Sequence, residues 1–85
     1  MNEQQTQSKI KKKLETEGWE VIKLIRTSHN GISDLMALKD GKAMFIEVKT
    51  DKGVLSPLQV FRIDQLRKLG FEVKIWTDYG KDFKS

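Results

Sequence analysis

Asp34, Glu47 and Lys49 are the residues whose types and spacing carry the clearest chemistry in this sequence. Asp40-Gly41 separates two strand-like runs, Asp34 to Leu38 and Ala43 to Lys49, and Asp-Gly in that setting is the strongest short-range hairpin signal. With Asp40 and Gly41 as the two turn residues, Lys39 faces Lys42, Leu38 faces Ala43 and Asp34 faces Glu47. Opposed residues on one face have Cβ atoms roughly 4.5–5.5 Å apart, and like charges there are destabilising. Period-2 alternation puts Lys49 on the same face as Glu47, while Met44, Ile46 and Val48 point the other way, into a core. Two facing carboxylates suit a hard cation such as Mg²⁺, which takes oxygen ligands and keeps several waters for substrate phosphate oxygens. Such a cation would relieve the repulsion and polarise a phosphodiester. Lys49 would stabilise developing negative charge or orient the attacking water. Removing Asp34 is then expected to spare the fold, and even to stabilise the metal-free protein.

The flanking elements must hold this hairpin in place. A helix is expected over about residues 3–17, with Asn2 as N-cap, Gln5 as its capping-box partner and Gly18 at the helix end. Ile10 and Leu14 lie four apart, and stepping back by helical spacing brings Gln7 and Glu3 onto the same face, where either could orient a metal-bound water. Trp19 to Arg26 reads as a strand, and residues 27–31 as a loop. After a second loop, Thr50 to Leu55, Ser56-Pro57-Leu58-Gln59 supplies an N-cap, a proline at N1 and a capping-box Gln. A helix over about 57–69 follows, with Leu58, Ile63, Leu66 and Leu69 as its apolar stripe and Gly70 as its stop. Phe71 to Thr77 alternates as a last strand, and the tail Asp78 to Ser85 carries no signal beyond a mobile end. The order is α-β-β-β-α-β in one domain, residues 1–85. A right-handed crossover through the second helix makes the last two strands parallel in an otherwise antiparallel sheet.

Composition narrows the alternatives. The chain has 85 residues, no cysteine and one histidine, which excludes disulfides, zinc ribbons, thiol chemistry and multi-histidine metal sites, and leaves only His29 for any Ser/His/Asp triad. No apolar run is long enough for a signal peptide or a membrane span, so a cytoplasmic location is expected and no membrane partner. A net charge of +4 tilts the expected partners towards polyanions. A chain this short buries only about 60% of its unfolded surface. Self-association would add core and set two sites for two strands.

Glu3, Gly31-Ile-Ser-Asp34, Glu47-Val-Lys49 and Gly53-x-x-Ser56-Pro57-x-Gln59 together resemble the virus-type replication-repair nuclease (VRR-NUC) domain, a branch of the PD-(D/E)xK nucleases. The resemblance runs from the first helix to the last strand. It implies a restriction-endonuclease-like αβββαβ core, a mixed four-stranded sheet flanked by helices. It also implies an endonuclease using Mg²⁺ or Mn²⁺ on DNA, with no nucleotide cofactor. Stand-alone members of this size look like phage proteins that dimerise and cut branched DNA such as Holliday junctions; a phage-encoded protein would work in the host cytoplasm. By the same resemblance Asp34, Glu47 and the Val48 carbonyl hold metal, Lys49 is the catalytic lysine, and Gln59 and Glu3 support the site. Ser33 stands where the family usually has proline, a position that tunes strand entry more than chemistry.

Other residues carry blander readings. His29, with Arg26, Ser28 and Asn30, is a polar loop residue or a phosphate contact. Lys9, Lys11, Lys12 and Lys13 form a solvated helix face or a phosphate-tracking patch. Lys39 and Lys52 are expected near the site and are better candidates for DNA contact. Trp19 and Trp76 read as core or interface anchors; an exposed Trp76 on the last strand, or the first helix, would offer a dimer surface. The rival to an enzyme is a nucleic-acid-binding module that keeps the fold without the chemistry. A full Asp34, Glu47, Lys49 set argues against it, because a degenerate nuclease usually loses one of the three.

Overall fold

A computed structural model describes residues 3–25, 27–28, 31–49 and 54–76, without the side chain of Glu3. Asn2, Arg26, His29, Asn30, Thr50, Lys52, Gly53 and the tail from Asp78, to which readings were attached above, lie outside the described residues.

The elements are α1 (Glu3–Thr16), β1 (Glu20–Lys23), β2 (Leu35–Lys39), β3 (Lys42–Val48), α2 (Pro57–Lys68) and β4 (Glu72–Trp76). The strands form one sheet in the order β1-β2-β3-β4, antiparallel except for the parallel β3–β4 pair. This is the expected order with the expected crossover. The hairpin forms where Asp-Gly placed it: Asp40 and Gly41 both have positive φ, 51° and 77°, as a type I′ turn requires. The pairing runs from Lys39↔Lys42 to Leu35↔Ile46. β1 is shorter than the expected Trp19 to Arg26, because its ladder with β2 spans only Glu20↔Leu38 to Lys23↔Leu35.

Alternation divides the apolar residues between the two faces of the sheet. Val21, Leu35, Ala37, Met44, Ile46, Val48 and Trp76 face α1 and pack with its Ile10 and Leu14, joined by Trp19. Burial of each large aliphatic side chain there contributes about 1.5–3 kcal/mol. Val73 and Ile75 face the other way and pack with Ile63 and Leu66 of α2, bordered by Phe45 and Leu55.

Four expectations about side chains are corrected. Leu58 and Leu69 are 42% and 68% exposed. Helix α2 packs mainly over the edge strand β4, so Ile63 and Leu66 are buried while Leu58 and Leu69 stay largely open. Trp76 is 7% exposed: its position in β4 turns the indole under α1, and it offers no surface for a partner. Lys39 sits at the turn end of β2, about 17 Å of strand from Asp34, where its Nζ donates to Glu17 O at 2.7 Å. It fastens the end of α1 to the hairpin instead of lying near the candidate site.

The segment leading into β2 is positioned by Gly31. Its φ is +79°, and a Cβ there would lie 2.8 Å from Leu58 Cγ, 3.0 Å from Leu58 O and 3.1 Å from Arg62 Cγ. The backbone therefore rests directly on the first turns of α2, which only glycine permits. Gly41 has a similar φ but open space around it. Gly31→Ala is expected to cost about 2 kcal/mol from backbone conformation alone, with the Leu58 clash added, lowering Tm by on the order of 10 °C. Gly41→Ala carries only the conformational part, so thermal melts of the two variants side by side should rank Gly31→Ala as the more damaging; equal shifts would remove the contact argument.

Candidate active site

The β2–β3 ladder stops at Leu35↔Ile46, one pair short of the two carboxylates. Continued by one step, the same register sets Asp34 opposite Glu47, as the hairpin arithmetic expects. Here β2 remains with β1, since Leu24 N donates to Asp34 O at 2.8 Å. It parts from β3, and the Asp34 side chain fills the place of the missing backbone partner: Val48 N donates to Asp34 Oδ2 at 2.9 Å. Asp34 thus closes the end of the sheet as well as bearing a charge. This second job overturns the expectation that its removal spares or stabilises the metal-free protein, because an amide left without its acceptor costs about 1–3 kcal/mol.

Val48 shows which way the neighbouring oxygen points. In an extended strand the N–H and C=O of one residue project to the same side, so the Val48 carbonyl faces the gap that holds Asp34. On the other side of β3, Lys49 N donates to Trp76 O at 2.8 Å. The backbone that carries Glu47, Val48 and Lys49 is held from both edges.

Glu47 is 1% exposed and is met from α2. At the start of that helix Ser56 Oγ accepts from Gln59 N at 3.1 Å, and Gln59 Oε1 accepts from Ser56 N at 2.9 Å, the reciprocal capping box written in Ser-Pro-x-Gln. That box fixes which end of the amide is oxygen. The remaining Nε2 therefore points away from the cap, and it lies 3.4 Å from Glu47 Oε2 as a long hydrogen-bond donor. The capping role and the contact with Glu47 are carried by the two ends of one side chain.

Among the described residues no group of three or more His, Asp or Glu side chains comes together. The oxygen donors available are the Asp34 and Glu47 carboxylates and the Val48 carbonyl. This set fits a hard divalent cation that completes its shell with water. It does not fit zinc, which prefers nitrogen and sulfur. Glu3 opens α1, but its side chain is outside the description. Lys49 follows Glu47 by two residues and is half-buried. In α1, Lys11 pairs with Glu15 at 3.1 Å and Lys13 Nζ lies 5.2 Å from the centre of the Trp76 ring, while Lys9 and Lys12 face solvent. Two supports escaped sequence reasoning, the Val48 amide on Asp34 and the Gly31 contact with α2. Only the glycine left a trace in the sequence, and nothing local says what it touches.

Comparison with known proteins bears on this arrangement. The VRR-NUC domain family matches residues 1–77. A solved structure described as a VRR_NUC domain superposes with a TM-score of 0.76 at 31% identity, covering 86% of this chain and 81% of that one. No curated protein sequence matches significantly. No described helix is long and apolar enough to cross a membrane. The family match over nearly the whole chain and the superposition of the mixed sheet with its two helices agree: the chain belongs to the VRR-NUC domain family, a nuclease-type fold.

Proposed function

We propose that the chain, acting as one domain over residues 1–85, is a metal-dependent endodeoxyribonuclease that hydrolyses phosphodiester bonds with Mg²⁺ or Mn²⁺. The observation that supports this reading is that β2 and β3 pair as far as Leu35↔Ile46, which leaves Asp34 and a buried Glu47 as the next residues where the ladder opens. A buried carboxylate facing a second carboxylate is an expensive arrangement until a cation joins them. Membership of a nuclease-type family supports the same conclusion.

In this reading Asp34, Glu47 and the Val48 carbonyl hold the cation, which when bound supplies Lewis acidity towards the phosphodiester. Asp34 is oriented by the Val48 amide, and Glu47 by Gln59 Nε2. The Lys49 ammonium, on the same face of β3 as Glu47, faces the scissile phosphate, where it stabilises charge that grows as the bond to the leaving oxygen breaks. Glu3, at the start of α1, supports the site from the opposite side of the sheet.

Branched DNA such as a four-way junction is the proposed substrate and a homodimer the proposed assembly. A site on so small a domain reaches one strand, and pairing supplies the second. The half of the sheet beside α2 supports self-association: Ile22, Leu38 and Phe71 are each more than a third exposed on a face that no described helix covers. A cytoplasmic location, in the host if the gene is a phage's, accords with this substrate.

Incubation of the protein with a labelled junction, a linear duplex and a single strand, in Mg²⁺ or EDTA, tests the function. Metal-dependent cutting confined to the junction is expected; binding to the DNA without cutting in Mg²⁺ would favour the non-catalytic module instead. Lys49→Ala should reduce the cleavage rate by about a hundredfold or more while junction affinity, read by gel shift, stays near wild type. Asp34→Asn keeps an oxygen acceptor for the Val48 amide but loses the charge, whereas Asp34→Ala loses both. Calorimetry should therefore find neither variant binding Mg²⁺, and metal-free melts should place only Asp34→Ala about 5–10 °C below wild type. Retained metal affinity in both would remove Asp34 from the site.

A further inference from the structure

Among the described residues, three buried polar atoms on the α1 side of the sheet have no hydrogen-bond partner: Gln7 Oε1, Ser33 Oγ and Trp76 Nε1. Buried polar groups without a protein partner are normally satisfied by ordered water. Strand alternation and helical spacing turn all three towards the layer between α1 and the sheet. Ser33 alternates with Leu35 and Ala37, which face α1, and lies just beyond the last β2–β3 pair, Leu35↔Ile46; Trp76, which also faces α1, ends β4 beside Val48. Ser33 and Trp76 thus lie on the α1 face at the end of the sheet where β2 and β3 part.

Helix α1 brings Gln7 to the same end. Its last turn is tied to the hairpin by the Lys39 to Glu17 bond. From Glu17 back to Gln7 the helix runs about 15 Å, and from Lys39 back to Ser33 the strand runs about 20 Å. Gln7 also shares the face of Ile10 and Leu14, both buried against the sheet. The three atoms have complementary chemistry: an amide oxygen only accepts, an indole N–H only donates, and a hydroxyl does both. A water molecule satisfies all three kinds. A cation would be repelled by the indole N–H, and an anion would lie beside the amide oxygen and close to Asp34.

We propose that a water molecule is held between α1 and the sheet by Gln7 Oε1 and Ser33 Oγ, with Trp76 Nε1 donating to it. Through Ser33, the residue before Asp34, this water fixes the segment that presents the Asp34 carboxylate at the β2–β3 gap. Gln7 is therefore a positioning residue, acting on Asp34 from the far side of the sheet; this second step rests on Asp34 being a metal ligand.

Gln7→Met, Ser33→Ala and the double variant, made in the full chain, test the proposal. Without metal, each single variant should melt about 5 °C below wild type, and the double variant scarcely lower than either, because the first replacement already releases the water. A Tm above wild type in either single variant would mean a dry site, and additive shifts would mean two independent atoms; each overturns the proposal. A crystal structure of the metal-free protein should show one ordered water within hydrogen-bond distance of Gln7 Oε1 and Ser33 Oγ; protein groups in its place would overturn it too. The positioning role predicts Mg²⁺ affinity by calorimetry about tenfold weaker in Gln7→Met, and unchanged affinity refutes that role. If the wild-type protein binds no Mg²⁺ at all, the nuclease reading fails, while the melting pattern and the crystallographic water still decide whether the site exists.

Discussion

Everything at the candidate site depends on the register of one hairpin. The side-chain period of a strand is two, so a slip of one residue between β2 and β3 would send Glu47 and Lys49 into the apolar layer under α1 and turn Ile46 and Val48 outwards. Two independent constraints prevent that slip. Asp40 and Gly41 accept the positive φ angles that a two-residue turn demands. Leu35, Ala37, Met44 and Ile46 must all face α1 to be buried. Turn chemistry and core burial select the same register, and that register keeps Glu47 on the face of β3 turned away from α1.

The ladder then ends at the place where chemistry is wanted. While two strands stay paired, their backbone groups satisfy each other and offer nothing to a ligand. Where β2 leaves β3, the Val48 amide takes the Asp34 carboxylate and the Val48 carbonyl is turned into the same opening. Separation of the strands therefore converts backbone atoms of β3 from structural partners into site groups. Just before this point Gly31 lets the incoming chain approach Leu58 and Arg62 of α2 more closely than a side chain would allow.

What could be read in the sequence was whatever depended on neighbours in the chain. Asp40-Gly41 and Ser56-Pro57-x-Gln59 specify their structures through local backbone chemistry, and both formed as expected. The pairing from Lys39↔Lys42 to Leu35↔Ile46 also followed, because a two-residue turn propagates its register along both strands. The failures were long-range. Leu58 and Leu69 look like core at helical spacing, yet their exposure depends on α2 packing mainly over the edge strand β4. Trp76 looks like a core or interface anchor from the sequence, and only α1 lying over that side of the sheet decides for the core. The Val48 amide on Asp34 left no signal at all, since backbone groups look the same at every position.

Gln59 shows how a small domain supports a site without adding residues to it. A side-chain amide has one acceptor end and one donor end, and helix capping consumes only the acceptor, since Ser56 N donates to Oε1. The donor end is left over and is already rigid, because the cap holds the side chain at the helix start. Pointing it at Glu47 costs little further conformational entropy, which an uncapped Gln on the same helix would have to lose in forming that contact. Glutamate at this position would preserve the cap through its carboxylate but replace the donor with a second negative oxygen facing Glu47. Capping alone accepts Glu or Gln at this position; the neighbouring carboxylate is what makes the amide the better choice.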